Sequence, residues 1–134
     1  MALSLEIVTP EQRALTVECD EVRLPGASGG FGVRPGHTPL MAQLSAGELL
    51  YIAGGTEHRY AVGEGFAEIS DDRVRVLVEE AQRAEDIDPA KVAQELAARQ
   101  KRLEGLKLDA PAYEQERARV ERAAARAFVA GRRR

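Results

Sequence analysis

The feature that most constrains this chain is a change of hydrophobic period near residue 87. Before it, apolar residues alternate. "LSLEIV" puts Leu3, Leu5 and Ile7 on one side of the backbone, with Ser4 and Glu6 on the other. In "RVRVLVEEA", Val74, Val76 and Val78 alternate with Arg75 and Leu77. Side chains two apart share one face of a strand, so this pattern makes sheets with an apolar side. After residue 87 the spacing changes. "IDPAKVAQELAARQKRLEGL" sets Val92, Leu96 and Leu103 along a helical stripe. No single element satisfies both periods, so the chain must build strands first and helices second.

The strand part carries its own punctuation. "TVECDEVRL", "ELLYIA", "HRYAVG" and "FAEISD" read as further strands, and Gly54-Gly55 and Asp71-Asp72 as hairpin turns. Short strands at such spacing predict an all-β sandwich of short antiparallel strands over residues 1–86. Aromatic residues are only 4% of the chain and Trp is absent, so Leu, Val, Ile and Ala must fill the core. The helical part, residues 87–134, opens with Asp88 as N-cap and Pro89 in the first turn, and Gly105 is its first stop. Pro111 stands near a second helix start and Gly131 near its end, with Tyr113, Val120, Ala124, Ala127 and Phe128 near one face. Two helices joined by about five residues predict an antiparallel hairpin. Ala dominates both apolar stripes. A buried Leu contributes roughly 1.5–3 kcal/mol and an Ala much less, so the hairpin is expected to dock weakly and to move.

Charge divides at the same place. Residues 1–86 hold 15 acids and 7 bases, net -8; residues 87–134 hold 7 acids and 12 bases, net +5. Two parts with different partners are expected. No run approaches a membrane span, and "MALSLEIVTP" lacks a basic n-region, which predicts a soluble cytosolic protein. Cys19 is the only cysteine, which leaves no internal disulfide and no cysteine metal cluster. Its alternating position reads as a small hydrophobe in a strand.

The stretch "GGFGVRPGHTPLMAQLSAGEL" tests the chemical options. A Walker loop needs Lys after its glycines and a helix behind them; here Pro35 and Pro39 follow, then Gly47 and strand. A cupin-type metal enzyme would show two histidines two apart and then a Glu. His37 and His58 are the only histidines, and His58 reads as part of a solvent-facing hairpin. Neither is tied to a nucleophile, so His37 reads as a turn or interface residue. The glycines permit positive φ, and the stretch reads as a rigid, exposed loop between strands, a place where sandwiches often carry binding function. Arg119, Arg122 and Arg126 recur at helical spacing. They form either a solvated face or a cationic ridge for an acidic partner. Nucleic acid is disfavoured, since the chain is acidic and no aromatics interleave with the basic residues.

The order of these pieces resembles one family. "VRLPGASGGFGVRPGHTPLMAQLSAGEL", then "GEGFAEISDDRVRVLVEEAQRAEDID", then a charged helical hairpin, closely resemble the epsilon subunit of bacterial F-type ATP synthase over essentially the whole chain. The most specific pieces run from Gly26 to Leu40 and from Gly65 to Glu68. The resemblance implies a sandwich and two helices, no catalysis, and no metal. It implies a rotor subunit of a proton-translocating complex, peripheral on the cytoplasmic face of the bacterial inner membrane. The sandwich would bind the gamma subunit and the ring of c subunits. Gly29, Gly30, Phe31 and Gly32, with Pro35, Gly36 and His37, correspond to the end that faces ring and rotor. Many relatives carry Glu where this chain has Gly30, so a charge-based ring contact is not expected there.

The resemblance also implies that the hairpin regulates. It would fold against the sandwich or extend along gamma toward the alpha and beta subunits and block ATP hydrolysis. Arg119, Arg122 and Arg126 would then face acidic segments of the catalytic subunits. Some relatives hold the folded form with ATP, through I/L-D-x-x-R-A and an arginine pair four apart. Here Ile87, Asp88, Arg122 and Arg126 match, but Lys91 and Val92 replace Arg and Ala. Lys cannot supply a bidentate fork, so ATP binding is expected to be weak or absent, and no other cofactor is implied. The alternative outside this family is a free-standing β-sandwich that binds a small ligand.

Overall fold

A computed structural model describes residues 2–132. The strands are β1 (Leu3–Val8), β2 (Arg13–Cys19), β3 (Glu21–Leu24), β4 (Phe31–Val33), β5 (Leu40–Leu44), β6 (Gly47–Ala53), β7 (Thr56–Val62), β8 (Gly65–Ser70), β9 (Arg73–Val78) and β10 (Ala81–Arg83). A 3₁₀ turn at Ala84–Asp86 leads into α1 (Pro89–Glu104) and α2 (Tyr113–Arg132). One sheet runs β2-β1-β9-β8-β5 and the other β10-β7-β6-β3-β4. This is the predicted sandwich followed by two helices.

Alternation places the core as the sequence dictates. Leu3, Leu5, Ile7, Val74 and Val76 are fully buried, and Leu49, Val62 and Ile69 close over them from the neighbouring strands. One pairing departs from an antiparallel pattern. β1 lies parallel to β9, Leu5 opposite Val74 and Ile7 opposite Val76, and antiparallel to β2. The N-terminal strand is inserted between the two, so its apolar side joins the centre of the core.

Two readings of the strand part are corrected. "TVECDEVRL" is not one strand. β2 ends at Cys19 and β3 starts at Glu21, in different sheets, with Asp20 at the crossing. The Gly29–Leu49 stretch is not simply a loop either, since β4 and β5 lie inside it, at the edges of the two sheets. The predicted turns do form. Asp71 and Asp72 have φ of 53° and 60°, and Gly54 and Gly55 of 58° and 81°, the left-handed values that tight hairpin turns demand.

The helices follow their signals at the start. The Asp88 side chain accepts from the backbone N–H of Ala90 and Lys91, and Gly105 follows the last residue of α1. The connection to α2 spans residues 105–112, longer than the five expected, and Gly131 lies in the last turn of α2, near its end as expected. Glu95 meets Arg126, and Arg99 meets Glu116, so the helices run antiparallel. The buried side of α2 is rotated from the expected stripe. Ala123, Ala125, Val129 and Ala130 are buried, whereas Ala124 and Phe128 are exposed. Small side chains let α2 lie close to β6 and β7, and Phe128 instead sits under the Arg132 guanidinium, 5.3 Å from its ring centre. A second cluster, Ala61, Ala84, Ile87, Val92, Val129 and Ala130, forms this seam, separate from the sandwich core.

Candidate functional site

Of the candidate ring-facing residues, Phe31 and Gly32 lie in β4, and the others flank it in two turns. Gly26 bridges to Leu44, the last residue of β5, and Gly29 takes φ of 130° in the turn before β4. The Arg34–His37 turn lies past the other end of β4. There Gly36, at φ 86°, donates its N–H to Asp72 Oδ1 at 2.8 Å. Leu40, which follows this turn, starts β5, so the two turns stand at opposite ends of that strand. Gly30, Phe31 and Gly32 line a cavity of about 730 Å3, and Gly32, Pro35, Gly36 and His37 line a second of about 460 Å3, with Gly32 and Glu21 common to both. Glu21 accepts from Arg23 at 2.8 Å and from Arg34 at 3.3 Å, which holds its carboxyl below the usual range. The half-buried His37 donates from Nδ1 to the carbonyl of Thr38 at 2.6 Å, a local turn contact with no nucleophile in it.

His58 and Cys19 have structural places. His58 lies within β7 of the β6–β7 hairpin, half-buried, and its ring stacks on Tyr51 with centroids 4.7 Å apart. Cys19 is 2% exposed, and burial pushes its thiol up to about 11. A protonated buried thiol is a poor nucleophile.

The arginines of α2 do not form a free ridge in this conformation. Arg122 donates to Glu64 from Nε at 3.0 Å and from Nη2 at 2.7 Å. Arg126 donates to Glu80 at 2.9 Å and, from both terminal nitrogens, to Glu95 at 2.7 and 3.2 Å. Arg119 reaches Glu116, which is 3% exposed and also accepts from Arg99. Bidentate guanidinium–carboxylate pairs are the strong kind. The arginine bonds hold Glu64 and Glu95 below the usual carboxylate range and raise the affinity of Arg122 and Arg126 for their protons. The arginines' spacing was legible in the sequence, but nothing there signalled these partners. Glu64 and Glu80 stand in loops between strands, and only the docked fold brings them to α2.

Of the nucleotide candidates, Ile87, Asp88, Lys91 and Arg126 line one cavity of about 310 Å3, together with Asp86 and Glu95. Arg122 is not among them; it is turned to Glu64. Ile87 is buried in the seam, and Asp88 is occupied in capping α1. Lys91 is exposed. No group of His, Cys, Asp and Glu among the described residues could hold a metal ion, and no described helix is long and apolar enough to cross a membrane.

Comparison with known proteins points one way. The family described as "ATP synthase, Delta/Epsilon chain, beta-sandwich domain" matches residues 2–84. The chain is 51% identical over 132 residues to the ATP synthase epsilon chain of Anaeromyxobacter sp. (strain K), covering 98% of this chain and 100% of that one. It is 42% identical over 124 residues to the epsilon chain of Myxococcus xanthus (strain DK1622), covering 92% and 91%. Its fold is similar to a chain in the Euglena gracilis mitochondrial ATP synthase structure of OSCP, F1 and c-ring, with TM-score 0.79, 24% identity and 92% and 78% coverage. It is also similar to a chain in the Tetrahymena thermophila mitochondrial ATP synthase central stalk and c-ring structure, with TM-score 0.66, 9% identity and 97% coverage of both.

Proposed function

Because this chain belongs to the ATP synthase epsilon-chain family, we propose that it is a non-catalytic central-stalk subunit with two working parts. Residues 1–86 are the rotor-binding unit, which couples gamma to the c ring. Residues 87–134 are a movable regulatory unit that restrains ATP hydrolysis at the alpha and beta subunits. The complex holds the subunit at the cytoplasmic face of the membrane. The observation that carries the regulatory reading is how the hairpin is held. Its seam is small, three alanines with Ile87, Val92 and Val129, and the polar hold consists of arginine–carboxylate pairs, Arg122 to Glu64 and Arg126 to Glu80 among them. This apolar contact is small beside the sandwich core, and ion pairs that are partly exposed can be exchanged for others at small net cost. Carboxylates on another subunit could therefore replace those of the sandwich. In the extended form Arg119, Arg122 and Arg126 would meet such carboxylates.

Deleting residues 87–134 tests this reading. The truncated subunit, assembled into the complex, is expected to leave ATP hydrolysis faster than the intact subunit does. Equal hydrolysis rates for the two complexes would rule the inhibitory role out.

A further inference from the structure

Two tyrosines interrupt the apolar core of the sandwich. Tyr51 in β6 and Tyr60 in β7 are 7% and 6% exposed and pack among leucines and valines. A phenol hydroxyl taken out of bulk water needs a hydrogen-bond partner. Neither hydroxyl has one among the described residues, and neither is sealed off, so both open onto a cleft of about 300 Å3. Leu15 of β2 and Arg83 of β10 also line it. β2 and β10 are edge strands of opposite sheets, so the cleft lies where the sandwich is open at its side. Strand register sets the rest of the lining. Arg83 is opposite Tyr60 in the β7–β10 pair, and the two share a face. Gln82 takes the other face and lines the separate cavity beside the helices. His58, two residues before Tyr60, joins the tyrosine face and stacks on Tyr51 with 16° between the ring planes.

The lining is rich in donors at one end and apolar at the other. Burial holds both phenols above their usual range, so they stay O–H donors, and both feel the charges of Arg83 and Glu85. Arg83 approaches Asp86 at 3.7 Å and Glu85 at 4.0 Å, longer than hydrogen bonds, so its guanidinium fork is loosely held. Leu15 and the Tyr51–His58 stack give the apolar wall. We propose that this cleft binds a small aromatic carboxylate, its charged end on Arg83 and the two tyrosine hydroxyls, its ring against Leu15 and the stacked pair. Inorganic phosphate suits the cleft less. It has no apolar body to cover Leu15, and its second charge meets Glu85. The site goes beyond the coupling and regulatory roles and does not depend on movement of the hairpin.

Titration of the full-length chain with benzoate, followed by amide NMR at matched ionic strength, tests this. The signals of Leu15, Tyr51, His58, Tyr60 and Arg83 are expected to move saturably and to fit one site, while those of Leu5 and Val76 hold. Inorganic phosphate, which has the charge without the ring, and benzyl alcohol, which has the ring without the charge, are each expected to bind at least about tenfold more weakly. Arg83→Gln should weaken benzoate about tenfold or more, as loss of a charged hydrogen-bond partner implies. Tyr51→Phe and Tyr60→Phe keep the rings and lose only the hydroxyls, and each should weaken it about three- to tenfold. Unshifted Leu5 and Val76 signals report that a variant is folded. Should Arg83→Gln fail there, Arg83→Lys, which keeps the charge and loses the fork, takes its place and should also weaken binding. The proposal is overturned if benzoate moves none of the cleft signals, if phosphate or benzyl alcohol binds as well as benzoate, or if the Arg83 variant binds it unchanged. The assay involves no hydrolysis and no other subunit, so its result and that of the deletion test stand apart.

Discussion

Single residues show how little room some motif positions have. In the Gly65–Glu68 run, a Cβ on Gly65 would lie 1.9 Å from the carbonyl oxygen of Leu77 and 2.8 Å from the Cα of Val78. Those atoms belong to the paired strand β9, which cannot yield without breaking the ladder. Gly65→Ala is expected to lower unfolding free energy by about 1–3 kcal/mol, read from urea denaturation, as overpacking of a tight site does. Unchanged stability would show that β8 and β9 can separate there freely. Gly30 contrasts with it. Its nearest neighbour to an added Cβ is the Leu24 carbonyl oxygen at 3.6 Å, an ordinary contact, so the backbone does not demand glycine at this position. Gly65 was legible as part of a motif, but its reason is a cross-strand distance that no local spacing contains.

At the scale of elements, the hairpin is governed by where its charges fall. α1 buries only Val92, and α2 buries mainly alanines and valine, apart from Glu116. The pairs that hold it to the sandwich and to itself have carboxyl groups shifted below their ordinary 4.5, Glu64 by Arg122 and Glu95 by Arg126. A carboxyl that is more acidic when docked binds fewer protons there than when released. Its contribution is complete above the ordinary value and is lost as pH falls through the depressed one. Docking is therefore expected to weaken progressively below pH 4.5. The amide signal of Ala61, buried on the sheet beneath α2, should move in that range, while those of Leu5 and Val76 hold. An Ala61 signal that tracks the sandwich core throughout would refute the charge-held seam. Helix starts were readable here because Asp88 and Pro89 act locally. The face of α2 was not, because alanines on several sides offer no single stripe and the sheet selects among them.

Over the whole molecule, two apolar clusters of unequal strength divide the work. The sandwich core joins large side chains from both sheets, and the seam joins far fewer, three of its six alanine, from β7, the 3₁₀ turn and the residue after it, and both helices. The first suits a rigid coupling body and the second a part that can leave it. The nucleotide question belongs to the same scale, since the cavity lies between α1, α2 and the β10 end of the sandwich. With Arg126 occupied, Arg122 turned away and Lys91 in place of a fork, calorimetry of the isolated chain with ATP is expected to give no measurable heat of binding. Micromolar affinity would overturn this.

The sequence by itself determined the kinds of element, their order and the place where strands give way to helices. It also determined the tight turns at Gly54-Gly55 and Asp71-Asp72. These depend on period, caps and φ preferences, which act over a few residues. Only the tertiary structure decided the parallel seat of β1 beside β9, the sheet change at Asp20, the face of α2 and the partners of its arginines. Each of those joins residues far apart in the chain. Glu64 and Arg122 are 58 positions apart, and their pairing follows from how the two sheets and the hairpin close on one another.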